Sequence, residues 1–199
     1  MTGLYVALRD VTLVDLGFES IVEARDHLGV NNYELMIDRE LKTKLPILAD
    51  LYIDLFREKD LLNRLEEENI LICSFLVNNA ISVKNFKVEV KWVVKVCEAA
   101  ANYNVSTVRI NPVMKFFKDT SITECVKLTS NFVREVLSKT GGLDVSLAME
   151  NHGFIGNRRE YLRAVLSNVQ SERFGLTLDT GNFYWFGYPL NEVYDLIVE

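Results

Sequence analysis

Two short stretches of the chain end in a carboxylate that follows an alternating, strand-like run. Residues 146–150 read SLAME and residues 175–179 read GLTLD, so Glu150 and Asp179 close the two runs. Neighbouring strands lie about 4.8 Å apart, and two carboxylates at matching strand ends could bind one divalent cation. Without a cation or a shared proton they would repel each other. The pair therefore predicts an oxygen-rich site that suits Mg²⁺ or Mn²⁺ better than a thiolate-preferring metal.

A structural alternative exists for each of these residues. An aspartate at the end of a strand is most often a helix cap or a turn residue, and Asp179 stands before Thr180 and Gly181. Arg109, which faces inward in its predicted strand, either binds an anionic substrate group or forms a structural salt bridge. His152 either donates to a substrate oxygen, orients Glu150 or packs in a loop.

Further polar residues stand at the ends of other predicted strands, where they could contact a substrate. These candidates are Glu34, Asn78, Asn111 and Asn182. The aromatic run FYWFGY (183–188) follows the sixth predicted strand directly. It either forms an apolar wall over the site or packs into the core.

The elements that must position these residues alternate between short apolar runs and longer helical patterns. Strands are predicted over 4–8, 32–37, 70–77, 106–111, 144–150 and 173–179. Helices are predicted over 18–29, 45–56, 58–69, 88–103, 122–142, 159–169 and 189–199. Six successive strand–helix units predict an α/β fold with a parallel sheet.

Two parallel architectures compete, an open doubly wound sheet and a closed (β/α)8 TIM barrel. A doubly wound sheet needs bulky residues on both faces of its central strands, whereas a barrel strand faces helices on one side only. In residues 106–111, Val108 and Ile110 share one face, while Arg109 and Asn111 share the other. The segment after the first strand also lacks a GxGxxG phosphate turn. The pattern favours the barrel.

A complete barrel of this kind usually needs about 250 residues, and only six units fit in the 199 residues present. We therefore expect one domain over residues 1–199, truncated after about six units with its C-terminal part missing. The alternative is a complete protein that covers its open strand edges by forming a homo-oligomer.

The composition limits the partners and the location of the protein. A net charge of −6 argues against nucleic acid as the main partner. No apolar stretch is long enough to span a bilayer, and the N-terminus does not resemble a signal peptide. The three cysteines, Cys73, Cys97 and Cys125, lie in apolar segments without CxxC spacing, which predicts buried thiols. We therefore expect a cytoplasmic protein with no membrane partner.

Three segments resemble the xylose isomerase-like TIM barrels, a superfamily of sugar and sugar-phosphate isomerases and epimerases that also includes the AP endonuclease family 2. They are VRINP, LAMENHG and GLTLDTGNFYWFGYPLNEV, with NYEL as a looser match in the second strand. The resemblance implies a metal site with Glu150 and Asp179 as ligands, holding Mn²⁺ or Mg²⁺, with Co²⁺ or Zn²⁺ as alternatives. It also implies that Glu150 is one base of a two-base proton transfer on a sugar or sugar phosphate.

The resemblance also marks what is missing. The family's seventh strand usually adds a His and its eighth a second Glu, and this sequence has no position for either. We therefore expect these 199 residues alone to be inactive or nearly so. A non-catalytic sugar-binding or assembly barrel is the alternative. An endonuclease fits less well, because its zinc cluster uses many histidines and this chain has only His27 and His152.

Overall fold

A computed structural model describes residues 5–47, 58–117 and 120–198 of the chain. Six parallel strands form one sheet in the order β1-β2-β3-β4-β5-β6. The strands are β1 (Leu8–Arg9), β2 (Asn32–Met36), β3 (Leu71–Leu76), β4 (Thr107–Ile110), β5 (Ser146–Glu150) and β6 (Phe174–Thr177). Each strand lies beside its neighbour in the sequence, as consecutive βα units of a (β/α)8 barrel require.

Helices alternate with these strands through the described residues. They are α1 (Asp10–Asp15), α2 (Ile21–Leu28), α3 (Glu58–Glu67), α4 (Phe86–Asn102), α5 (Ile122–Lys139), α6 (Gly153–Gly156), α7 (Arg159–Val169), α8 (Thr180–Phe186) and α9 (Leu190–Val198). Helix α2 begins later than the predicted residue 18, because Ser20 is its N-cap, and Gly29, the last residue of the predicted helix, follows it in a left-handed conformation. The predicted α/β fold with six strand–helix units is confirmed.

Strand bounds differ from the prediction at both ends of the sheet. Residues 5–7 are not paired, and β1 consists of two residues that pair with Tyr33 and Glu34 of β2. Helix α1 begins directly after β1, with Asp10 as its first residue. At the other end β6 stops at Thr177, because Asp179 becomes the cap of α8.

Three short helices, α1, α6 and α8, were not predicted, since each has fewer than eight residues and no helical repeat of apolar positions. The predicted helix over 45–56 falls mainly on residues outside those described; residues 45–47 are not helical.

The chain divides into two compact units. The first comprises residues 1–78, 95–108 and 143–145 and contains β1, β2 and β3. Its buried residues include Tyr33, Leu35 and Phe75. Parallel pairing of β2 with β3 shifts in register between Tyr33 and Glu34.

The second unit comprises residues 79–94, 109–142 and 146–199 and contains β5 and β6. Its core includes Phe132, Met149 and Tyr161, all fully buried. In the β5–β6 pair, Glu150 lies opposite Thr177. Most of the candidate site residues belong to this unit. The prediction of one domain over residues 1–199 stays a prediction.

The alternation of bulky and small faces holds for two of the three strands that carry it. Val108 and Ile110 of β4 and Leu147 and Met149 of β5 are buried as expected. In β6 the prediction is wrong: Leu176 is half-buried and Leu178 is 38% exposed. The reason lies in the sheet order, because β6 is the last strand within the described residues and pairs with β5 alone.

None of the three cysteines forms a disulfide bond. Cys97 and Cys125 are buried as predicted, whereas Cys73 is half-buried and its thiol donates to the carbonyl of Tyr33. Among the described helices, none combines the length and the hydrophobicity that crossing a membrane requires.

Candidate active site

A buried ion pair joins the fourth and fifth strands at the centre of the candidate site. Glu150 is the last residue of β5 and Arg109 is the third residue of β4. The Nη1 atom of Arg109 contacts Oε2 of Glu150, and the two side chains are only 6% and 9% exposed. Of the two alternatives for Arg109, the salt bridge is the one observed. Such a pair neutralises two charges that would be costly to bury separately.

Asp179 and Asn182 extend the site from β5 to the residues after β6. The Oδ1 atom of Asp179 accepts from the backbone N–H of Asn182 at 3.0 Å, which makes Asp179 the N-cap of α8. The cap alternative for Asp179 is therefore realised. In the described part of the chain, no group donates a hydrogen bond to its second oxygen, Oδ2, and the residue is half-buried.

Asn182 connects the candidate residues with one another. Its Nδ2 atom lies 3.5 Å from Oε1 of Glu150, a long hydrogen bond, and 3.2 Å from Nδ1 of His152. Nδ2 donates to His152 when Nδ1 carries no proton. Through its backbone and side chain, Asn182 thus contacts Asp179, Glu150 and His152, which places these predicted residues in one cluster.

Asn151, which was not predicted from the sequence, ties the backbone of Asp179 to the residue that follows Glu150. Beyond the last β5–β6 pair, its Oδ1 accepts from the N–H of Asp179 at 2.6 Å and its Nδ2 donates to the Asp179 carbonyl at 2.8 Å. The side-chain amide thereby takes the place of a backbone peptide and continues the ladder past the strand ends. Nδ2 also donates to Asn157. The signal was available, since Asn151 directly follows the candidate Glu150.

A similar clamp involves Asn111, which was predicted to contact a substrate. The N–H of Asn111 donates to Oδ1 of Asn79 at 2.7 Å, and Nδ2 of Asn79 donates back to the Asn111 carbonyl at 3.0 Å. The side chain of Asn111 is 7% exposed and donates to the Asn79 carbonyl. Asn78, the candidate from the third strand, is exposed, and the buried residue at this strand end is its neighbour Asn79.

Glu34, a further predicted site residue, belongs to the first unit. Its Oε1 atom accepts from the hydroxyl of Ser74 at 2.9 Å, which joins β2 to β3, and the residue is half-buried. Next to β2 lies Asp10, a second residue that the sequence analysis missed. It is fully buried, with Oδ1 accepting from the N–H groups of Val11 and Met36.

The other oxygen of Asp10, Oδ2, is buried without a hydrogen-bond partner among the described residues. Burial therefore raises the pKa of Asp10 from 3.8 to about 6, against the lowering effect of the two backbone hydrogen bonds. The signal in the sequence was weak, because a lone aspartate shortly after the predicted strand over 4–8 looks like any turn residue.

The aromatic run FYWFGY is divided between core and surface. Phe183 is buried and packs edge-on against Tyr188, with ring centroids 5.9 Å apart. Tyr184 and Trp185 are 60% and 88% exposed. Core packing thus accounts for Phe183, and the wall over the site stays a prediction.

The side-chain oxygen atoms of Glu150 and Asp179 are the candidate ligands for a divalent cation. Within the ranges described, no group of three His, Cys, Asp or Glu residues is arranged to hold a metal ion. One carboxylate, Glu150, ends β5 and the other, Asp179, stands two residues after β6, and oxygen donors of this kind suit Mg²⁺ or Mn²⁺. Glu150 and Asp179 therefore fit part of a hard cation site, in which Arg109 already contacts one of the carboxylates.

A family model described as the xylose isomerase-like TIM barrel matches residues 21–198. The chain belongs to this family. The resemblance inferred from the three sequence segments is confirmed, and so is the TIM-barrel-like fold. None of the curated protein sequences matches this xylose isomerase-like chain.

Solved structures with the same fold include proteins with bound metals. A D-tagatose 3-epimerase-like protein is 14% identical with a TM-score of 0.63, and the match covers 88% of this chain and 65% of that protein. The IOLI protein with a bound zinc atom is 16% identical with a TM-score of 0.71, covering 94% and 67%. A xylose isomerase-like TIM barrel protein from Mycobacterium smegmatis in complex with magnesium is 14% identical with a TM-score of 0.68, covering 97% and 71%.

The chain thus spans less than two thirds of the D-tagatose 3-epimerase-like protein. At these identities the likeness establishes the fold of this xylose isomerase-like chain, and the zinc and magnesium are properties of the other proteins.

Proposed function

We propose that this chain provides part of the active site of a metal-dependent sugar or sugar-phosphate isomerase or epimerase, which moves a proton next to a carbonyl group. The observation that carries the proposal is the cluster in which Asn182 contacts both Glu150, at the end of β5, and Asp179, at the start of α8. Membership of the xylose isomerase-like family and the fold shared with a D-tagatose 3-epimerase-like protein support this choice of reaction.

Each residue has a role that its chemistry supports. Glu150 takes a proton from the carbon next to the carbonyl, and the guanidinium of Arg109 contacts its carboxylate. Glu150 and Asp179 would hold the cation, which is Mn²⁺ or Mg²⁺ by their oxygen donors. When bound, such a cation polarises the substrate carbonyl and stabilises the negative charge that develops on its oxygen.

The remaining polar residues orient the substrate. His152 and Asn182 offer hydrogen-bonding groups beside Glu150 that suit the hydroxyl groups of a sugar. We assign Asn111 to the substrate as well, although the contacts described above already engage it. We also propose a cytoplasmic location, in agreement with the three cysteines without disulfide bonds.

The first test is a titration with Mn²⁺, followed by its electron paramagnetic resonance signal. Glu150→Gln and Asp179→Asn should each weaken Mn²⁺ binding at least tenfold, because each removes one charged oxygen ligand. Asp144→Asn is the matched control, since Asp144 is exposed and lies two residues before β5 begins. Equal Mn²⁺ affinity in the natural chain and both site variants would refute the metal site.

The second test concerns the reaction itself. We expect ketose epimerisation only from a protein that also carries the family's remaining ligands, so the assay compares this chain with a version extended by two further βα units from a family member. Turnover by the extended protein that disappears on Glu150→Gln supports the assignment. Equal turnover by the two proteins would contradict the role given to the additional units.

One observation favours a second candidate, a non-catalytic sugar-binding protein. Arg109 neutralises Glu150 without any cation, so this buried carboxylate has a charge partner even where the site serves for binding alone. Calorimetry with neutral sugars in the presence of a chelator separates the two candidates. Sugar binding that needs no metal and survives Asp179→Asn would favour the binding protein, whereas binding that requires Mn²⁺ would favour the enzyme.

A further inference from the structure

The contacts of Glu150 bear on how a cation could reach it. Its Oε2 atom is engaged by the guanidinium of Arg109, and its Oε1 atom is approached by Nδ2 of Asn182 at 3.5 Å. Both members of the ion pair are buried. The contact with Arg109 is therefore a charge-assisted interaction in a region where water screens charges weakly.

A divalent cation and a guanidinium cannot both hold this carboxylate at full strength. Both are positive, and their mutual repulsion grows as the surrounding dielectric falls. Asp179 presents a different situation, because the donor to its Oδ1 is a neutral backbone N–H. Of the two carboxylates, Glu150 is therefore the one at which a bound cation would be repelled by a positively charged side chain, that of Arg109.

We infer that Arg109 competes with a divalent cation for Glu150, so that this arginine sets how tightly the site binds metal. The inference rests on the proposed function, in which Glu150 and Asp179 hold the cation. In the metal-free protein, Arg109 keeps Glu150 neutralised. Metal binding to Glu150 therefore requires the guanidinium to move away from Oε2.

The main experiment measures Mn²⁺ affinity by electron paramagnetic resonance in two variants of the same residue. Arg109→Gln removes the competing charge and should bind Mn²⁺ at least about tenfold more tightly than the natural chain. Arg109→Lys keeps a positive charge and is the matched control, with an affinity expected within about threefold of the natural chain. A role for Arg109 in folding alone would not produce tighter metal binding.

Removing one partner of a buried ion pair can prevent folding, so a second measurement uses the intact protein. Nitrogen-15 spectra of arginine side chains report on the Nε–H group of Arg109 directly, and its signal is assigned by its loss in Arg109→Lys. Adding diamagnetic Mg²⁺ should shift this signal in step with Mg²⁺ binding. An Arg109 signal that stays in place while Mg²⁺ binds to the protein would overturn the inference.

The outcomes separate this inference from the proposed function. If Arg109→Gln binds Mn²⁺ no more tightly than the natural chain, while Glu150→Gln still abolishes binding, competition is wrong and the metal site stands. If no form of the protein binds Mn²⁺, both ideas fail. Tighter binding in Arg109→Gln that is lost when Glu150→Gln is added supports both.

Discussion

Replacing Asp10 with asparagine should change how the stability of the protein depends on pH. Asp10 is fully buried, and burial raises its pKa to about 6 in the folded protein from 3.8. The folded state therefore holds this proton more strongly than the unfolded state. Its contribution to stability is fully present below pH 3.8 and is lost as the pH rises through 6.

The size of the effect follows from the shift. A difference of about two pKa units corresponds to about 3 kcal/mol between the protonated and ionised forms. Asparagine keeps an oxygen for the N–H groups of Val11 and Met36 and cannot ionise. Its NH₂ group occupies the position of Oδ2, where no partner is available among the described residues, which costs about 1–3 kcal/mol at every pH.

The quantity to measure is the difference in unfolding free energy between Asp10→Asn and the natural chain. Urea titrations followed by tryptophan fluorescence at several pH values between 3.5 and 7.5 provide it. We expect this difference to move in favour of the variant by about 3 kcal/mol as the pH rises through that range. Asp15→Asn, at the exposed end of the same helix, controls for the lost negative charge. A difference that is flat with pH would refute the reasoning.

Two further predictions concern packing in the second unit and are measured by the same urea titrations. Gly156→Ala should lower the free energy of unfolding by about 1–3 kcal/mol, because the new Cβ would lie 2.4 Å from Cγ of Pro112. Gly175→Ala is the control, since a Cβ added at Gly175 meets no atom within 4 Å. Equal losses in the two variants would contradict this account. Tyr161→Phe should lower the free energy of unfolding by about 1–3 kcal/mol, since the buried hydroxyl of Tyr161 lies 2.6 Å from the hydroxyl of Thr129 in α5. An unchanged unfolding free energy in Tyr161→Phe would show that this hydrogen bond adds no net stability.

Much of the fold could be predicted from the sequence, because helices and strands have different periods of apolar residues. Helix α7 has the predicted bounds of residues 159–169. The prediction failed where contacts distant in sequence decide, as at β1, whose extent depends on which residues find a partner in β2. It failed again at the end of β6, where the strand stops at Thr177 and Leu178, the next residue, is exposed.

The sequence was enough to select Glu150 and Asp179 as candidate site residues, but not to predict which residues they contact. Glu150 and Asp179 could be selected because they close alternating runs in successive units. The contacts that Asn151 makes with Asp179 could not be foreseen, since an amide side chain has the same appearance in a sequence whether it meets water or a peptide. Asp10 was missed for a similar reason, because burial of a charged residue depends on packing from elements far along the chain.

By itself, the sequence of this protein determined the order of six strand–helix units, the position of Glu150 at the end of β5 and, through its motifs, the xylose isomerase-like family. These features are local: they depend on the period of apolar residues and on short runs of neighbouring residues. Only the tertiary structure decided that Arg109 holds Glu150, that Asn182 contacts both carboxylates and that Asp10 is buried. The physical reason is that the partners of each charge come from other strands, and their distance and burial are set by packing rather than by spacing along the chain.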